Sequence, residues 1–117
     1  MNTRKSPKIL ASDLVRRSTC AIRVSAVIAD KRGIFSWGHN HSGLTGLGEH
    51  AEVHAIKRAN KHRLYGATIY VAGVYERGTL VKAKPCPACQ ALIDKYHLET
   101  LYRAKSGKWE TVPIRRG

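Results

Sequence analysis

Residues 21–29 (AIRVSAVIA) are followed at once by Asp30-Lys31-Arg32-Gly33 and then by residues 34–38 (IFSWG). Two short runs rich in branched and aromatic side chains, parted by four turn-forming residues, predict an antiparallel hairpin. Its long first strand must then be covered by whatever comes before and after it. Ahead of it, residues 7–17 place Ile9, Leu10, Leu14 and Val15 at helical spacing behind a proline, which predicts a first helix. Behind it come a helix over residues 50–61 and a third strand over residues 67–75 (ATIYVAGVY), entered through Gly66. Residues 76–84 (ERGTLVKAK) read as a short return strand turning around Arg77-Gly78, and PCPACQALIDKY opens another helix with Pro87 near its first position. Residues 98–102 (LETLY) and 109–112 (WETV) are short closing strands. Hairpin, helix, strand, helix and strand describe an α/β domain whose sheet carries helices on both faces. The 117 residues match the usual size of one domain, so residues 1–117 are expected to form a single unit.

No repeat, low-complexity tract or linker divides the chain, and no window approaches the roughly eighteen uninterrupted apolar residues of a membrane span. The opening MNTRKSPKIL is basic but runs into ASDLVRRST, without an apolar stretch and cleavage site, so a reducing, cytoplasmic location is the expectation. The charge is far from balanced: 21 Lys and Arg stand against 8 Asp and Glu, a formal +13. Such a surface attracts phosphates and polyanions, although the basic residues are scattered from Arg4 to Arg116 and form no block.

Three cysteines cannot all pair, and Cys86 and Cys89 stand with two residues between them, which points to metal or redox chemistry in an intracellular chain. Cys20 is expected to be a small buried hydrophobe on an early strand. If Cys86 caps the helix that Pro87 begins, both sulfurs lie on one side of its opening turn, where the helix dipole favours thiolates. His50 stands in the same relation to its own helix, so two helix beginnings can face one metal. Two sites then remain open. With His50, Cys86 and Cys89 alone, a fourth position is left for water, the catalytic pattern for zinc, and Glu52 (with Glu49 the nearest carboxylates) is the general acid/base. With His54, four residues beyond His50 on the same helix face, the site closes as a structural Cys2His2 centre and the chain is a basic, non-catalytic nucleic-acid-binding module. Zinc fingers place the cysteine pair first, about a dozen residues from the histidines, and give no reason for Glu52.

His50-Ala51-Glu52 followed by Pro85-Cys86-Pro87-Ala88-Cys89 matches the H-x-E…P-C-x-x-C signature of zinc-dependent nucleobase deaminases. The chain thus resembles the cytidine/deoxycytidylate deaminase superfamily over most of its length. The resemblance implies a three-layer α/β/α fold with a mixed five-stranded sheet. It implies zinc held by His50, Cys86 and Cys89, and hydrolytic deamination at a carbon bearing an exocyclic amine. Glu52 would protonate the ring nitrogen and then the leaving ammonia. Asn40 matches the family's sugar-binding asparagine, and Ala51 would be a second substrate-binding residue; Asn40 also reads as a turn residue. Trp37, at a strand end, reads as core before it reads as a base-stacking platform. HAEVHAI also resembles the deaminase half of riboflavin-pathway enzymes, which carry a longer cysteine spacing and a reductase domain. The expected substrate is cytosine in a nucleoside or nucleotide, with bases of single-stranded DNA or tRNA as the alternative, and the family commonly forms homo-oligomers. Residues 76–84 lengthen the path between third strand and metal loop beyond the usual family pattern, at the mouth of the site.

Overall fold

The computed structural model describes residues 6–18, 20–41 and 50–112. Helix α1 (Pro7–Leu14) begins at Ser6, whose hydroxyl accepts the Ile9 N–H at 3.1 Å, with Pro7 in the first turn where its missing donor costs nothing. It tightens into a 3-10 turn over Val15–Arg17 instead of remaining α-helical to Arg17. Strands β1 (Ile22–Asp30) and β2 (Gly33–His39) form the expected hairpin. Its turn is fixed by the Asp30 carboxylate, which accepts the Arg32 N–H at 2.9 Å, and by Gly33 at φ 117°, a left-handed backbone suited to glycine.

Helix α2 (Ala51–Arg58) stops three residues before the expected end. Ala59 is extended, Asn60 caps a new short helix α3 (Lys61–Leu64), and the Lys61 ammonium donates to the carbonyls of Ile56, Lys57 and Ala59. The leftover carbonyls of the first helix end are thereby satisfied by the residue that starts the second. Strand β3 (Thr68–Tyr75), helix α4 (Pro87–Lys95), β4 (Glu99–Arg103) and β5 (Trp109–Val112) follow among the described residues.

The expected return strand over residues 76–84 is not formed. A tight turn does follow Tyr75, with Gly78 at φ 91° donating to the Tyr75 carbonyl, but pairing ends with the single bridge Val74–Leu80, flanked by bonds from the Tyr75 N–H to the Thr79 carbonyl and from the Val81 N–H to the Gly73 carbonyl. The segment then leaves β3, and Ala83 donates to the Arg103 carbonyl at the end of β4, so the backbone is committed before Pro85 and the metal loop.

The sheet order is β2-β1-β3-β4-β5, with β3 and β4 parallel and every other neighbouring pair antiparallel. This is the mixed five-stranded sheet of the sequence expectation. Along β1, Ala26 and Ile28 face α2, α3 and α4, where they pack with Ile56, Leu64, Ile69, Val71 and Ile93. Val27 faces the other way, into a smaller cluster with Ala11, Leu14, Val15 and Ala72 under α1. A strand buried on both sides explains its near-continuous apolar run, and the result is three layers. Cys20 is half-buried in the bend before β1, not buried on a strand. Among the described residues no helix is long and apolar enough to cross a membrane.

This topology gives the sheet two unlike ends. Strands β2, β3 and β4 all point to one edge, and α2 and α4 start there. The hairpin turn, α3 and the end of α4 lie at the other. In open α/β sheets ligands sit beyond the carboxyl ends of parallel strands, which nominates the first edge.

Candidate functional site

At that edge His50 is the N-cap of α2 and Cys86 the N-cap of α4, with Pro87 in the first turn as its sequence predicts. Neither cap uses its side chain to satisfy its own helix, which leaves both free to point outward. His50 Nδ1 lies 3.1 Å from Cys89 Sγ and 3.8 Å from Cys86 Sγ, and the three donor atoms all lie within 4.8 Å of one another. Donors bound tetrahedrally to one zinc ion stand about 3.6–3.8 Å apart. His50 Nδ1 and Cys89 Sγ would have to part by about half an ångström to hold zinc, and one nitrogen with two sulfurs is a donor set zinc favours. His50 is exposed and Cys89 buried, so the group opens towards solvent on the imidazole side.

Glu52, the second residue of α2, is 5% exposed. Burial pushes its carboxyl above the ordinary glutamate value, against the opposing pull of its own backbone N–H, of His50 and of a hydrogen bond with Cys89. Burial likewise pushes the Cys89 thiol up, helped by the adjacent Glu52 charge. A buried carboxyl and a buried thiol in contact form a pocket short of positive charge, the electrostatic condition a divalent cation relieves.

His54 turns away from this group. Its Nδ1 lies 3.2 Å from both the amide nitrogen and the carbonyl oxygen of His39, and its ring meets those of His39 and His41 edge to face. No metal-binding group among the described residues includes it, so the four-ligand arrangement is not formed. Trp37, expected in the core, is 38% exposed instead, with the Arg58 guanidinium 5.3 Å above its ring. It alternates outward from Ser36, which takes the inward position and donates to the Ala55 carbonyl at 2.6 Å.

Asn40 stands just past β2 with most of its amide already engaged. Its Oδ1 accepts from the Val24 amide at 2.8 Å and the Ser18 hydroxyl at 2.6 Å, and its Nδ2 donates to the Ile22 carbonyl at 2.7 Å. Among the described residues its second amide hydrogen has no acceptor. Ala51 is fully buried as the first residue of α2, so what it offers a ligand is the backbone N–H that a helix start leaves unused. The glycine-rich stretch ahead of His50, residues 42–49 with Glu49, lies outside the described residues.

Two residues that the sequence reading passed over also shape this edge. Ser18 joins the end of the 3-10 turn to Asn40, and Gly38 lets β2 press against the backbone of α2. A glycine inside a strand is the signal that marks such a close approach.

The same architecture recurs in solved structures. A cytidine deaminase from Burkholderia pseudomallei superposes with a TM-score of 0.71 at 19% identity, covering 92% of this chain and 90% of its own. A cytidine deaminase from Mycobacterium leprae gives 0.58 at 19% identity, covering 89% and 88%. Form 1 of RibD from Acinetobacter baumannii gives 0.55 at 21% identity, covering 86% of this chain but 30% of the longer protein. No curated protein sequence matches the chain. The family model described as the cytidine and deoxycytidylate deaminase zinc-binding region matches residues 4–105, which include every residue of the site, and the chain therefore belongs to that family of zinc-dependent deaminases.

Proposed function

We propose that the chain hydrolytically deaminates cytosine in a nucleoside or nucleotide, with His50, Cys86 and Cys89 as the zinc ligands and Glu52 as the general acid/base. The observation that carries the reading is the placement of a buried carboxyl beside three convergent donors at the start of two helices. Zinc held there would supply Lewis acidity, bringing the pKa of water to about 7. Glu52 would take one proton from the attacking water and pass it to the ring nitrogen next to the amine-bearing carbon. It would then take the second from the new hydroxyl on that carbon and give it to the amine, which leaves as ammonia while the hydroxyl becomes a carbonyl. A carboxyl whose proton affinity is raised by burial suits that shuttle, because it must both accept and give a proton near neutrality. Asn40 Nδ2 and the Ala51 N–H are the groups we assign to sugar and base.

The test is Glu52→Ala in the zinc-loaded protein, assayed for ammonia release from deoxycytidine, dCMP, cytosine-containing single-stranded DNA and tRNA. The variant should retain its metal and lose about a hundred- to ten-thousand-fold in turnover, the usual contribution of a positioned acid/base. Unchanged turnover in a metal-loaded variant would overturn the assignment. Wild-type turnover of the two small substrates supports the nucleoside or nucleotide reading, whereas turnover confined to DNA or tRNA would move the substrate to bases within a strand.

A further inference from the structure

Deamination of a small substrate uses the edge where α2 and α4 begin and gives no role to the formal +13 charge. The eight residues of β3 hold the opposite end of the sheet about 23 Å away at the rise of an extended strand. That end carries a cavity of about 810 Å3, walled by Lys31 and Arg32 of the hairpin turn, His62 and Arg63 of α3, and Tyr65 and Tyr70. The one carboxylate in the wall is Asp30, and it is already engaged: Arg63 donates to its two oxygens at 2.9 and 2.8 Å. Arg63 is further fixed by the Phe35 ring, 4.3 Å below its guanidinium, and only two of its five N–H groups go to Asp30. Arg32 shares the field of that same carboxylate and Lys31 stands beside it on the two-residue turn, so the wall carries more positive than negative charge.

An aromatic surface adjoins this charge. Tyr65 is 67% exposed, and its ring lies nearly parallel to that of His97, with centroids 4.4 Å apart and planes 27° from each other. His97 holds φ 55° at the end of α4, a left-handed position usually given to glycine. A side chain kept at such a position is often there for what it touches. Here it backs the tyrosine from beneath and fixes the plane of an exposed ring.

We propose that this cavity binds the phosphate of a nucleotide, with the nucleobase laid on Tyr65, at a site separate from the catalytic edge. Cations for the phosphate and a flat ring for the base are the two elements by which proteins hold nucleotides without reading sequence. The ligand is either a free nucleotide or a unit of a single strand, since both present the same phosphate and base. The site stands independently of the deamination chemistry, which takes place at the other end of the sheet.

The experiment measures binding of fluorescein-labelled oligothymidylate to the zinc-loaded full chain, with dTMP as competitor. Thymine has no exocyclic amine and is not deaminated. Lys31→Ala with Arg32→Ala should weaken binding at least tenfold and reduce the slope of log affinity against log salt by about 1.4, the value for two single-strand phosphate contacts. Tyr65→Ala should weaken it about fivefold or more without altering that slope. His97→Gly should weaken it while leaving Tm equal or higher, which loss of a purely structural residue would not do. Displacement by dTMP assigns the site to free nucleotides, and binding of the oligonucleotide alone assigns it to a strand. The control pair Lys105→Ala with Lys108→Ala removes the same charge from the turn between β4 and β5. Equal weakening by that pair, or full binding by Tyr65→Ala, would reduce the effect to diffuse charge and overturn the proposal.

Discussion

The backbone nitrogen of Ala55 lies 2.7 Å from the point where a β-carbon on Gly38 would sit, and His54 Cβ and the Ala51 carbonyl lie 2.9 and 3.0 Å from it. Strand β2 thus touches the backbone of α2 along one turn, directly beneath the residues that begin the site. Helix α2 carries both His50 and Glu52, so its seat on β2 sets where the imidazole and the carboxyl meet Cys86 and Cys89. Gly38→Ala should push α2 off the sheet. Overpacking of this kind costs about 1–3 kcal/mol, and backbone atoms cannot swing aside as a flexible side chain can. The expected outcome is a lower Tm together with weaker zinc binding, measured by thermal unfolding and by competition with a chromophoric chelator. Loss of stability with metal affinity intact would separate the strand contact from the site.

His50 and His54 share a helix face in the sequence but part company in the structure. His54 is occupied by His39 and His41, and only His50 meets the two sulfurs. His50→Ala should therefore cost well over the roughly 10–100-fold in zinc affinity typical of changes outside the ligand set, and His54→Ala no more than about tenfold. Equal losses, read by the same chelator competition, would restore the closed four-ligand centre.

The difference between these two histidines shows what the sequence can and cannot carry. The convergence of His50, Cys86 and Cys89 is legible because each sits at a helix start or one turn inside it, and helix starts leave local marks: a proline after Cys86, and a glycine-rich stretch ahead of His50. The hairpin and the sheet content are legible for the same reason, since turn chemistry and branched runs act over a few residues. The early end of α2 depends on Lys61 reaching back to three carbonyls, and the missing return strand depends on Ala83 finding the end of β4; both are settled by partners the local pattern does not name. Asn40 reads both as a turn residue and as a sugar ligand because its amide serves the start of β1 and a serine twenty-two residues back. The outward turn of Trp37 follows from Ser36 taking the inner position, a choice that period-two alternation permits but does not decide.

Metal uptake should be coupled to protons. Burial holds the Cys89 thiol in its protonated form above the ordinary cysteine range, and a thiol must lose that proton to bind zinc. Zinc affinity is therefore expected to rise with pH across the neutral range and each binding event to release protons, measurable by calorimetry in buffers of different ionisation enthalpy. Zinc at about a hundredfold excess over its Kd should stabilise the fold by about 2.7 kcal/mol, on the order of 10 °C in Tm for a chain this size. An affinity flat with pH would mean that the thiols are already ionised.

Acid stability should depend on the pair at the far end of the sheet. Hydrogen bonding from Arg63 lowers the Asp30 carboxyl from its ordinary 3.8 to about 2, with a smaller contribution from the Arg32 backbone. A carboxyl whose pKa is depressed by folding stabilises the folded state fully above its unfolded value and loses that contribution as pH falls through the folded one. The Asp30–Arg63 pair should therefore support the fold from neutrality down to about pH 4 and fade as the pH nears 2. Asp30→Asn keeps an oxygen for the Arg32 N–H but gives up the charge. The variant should melt below the wild type at neutral pH, by a gap that closes as the pH falls to about 2, followed by circular dichroism across a pH series. A gap that stays constant at every pH would attribute the loss to packing around the hairpin turn instead of to the ion pair.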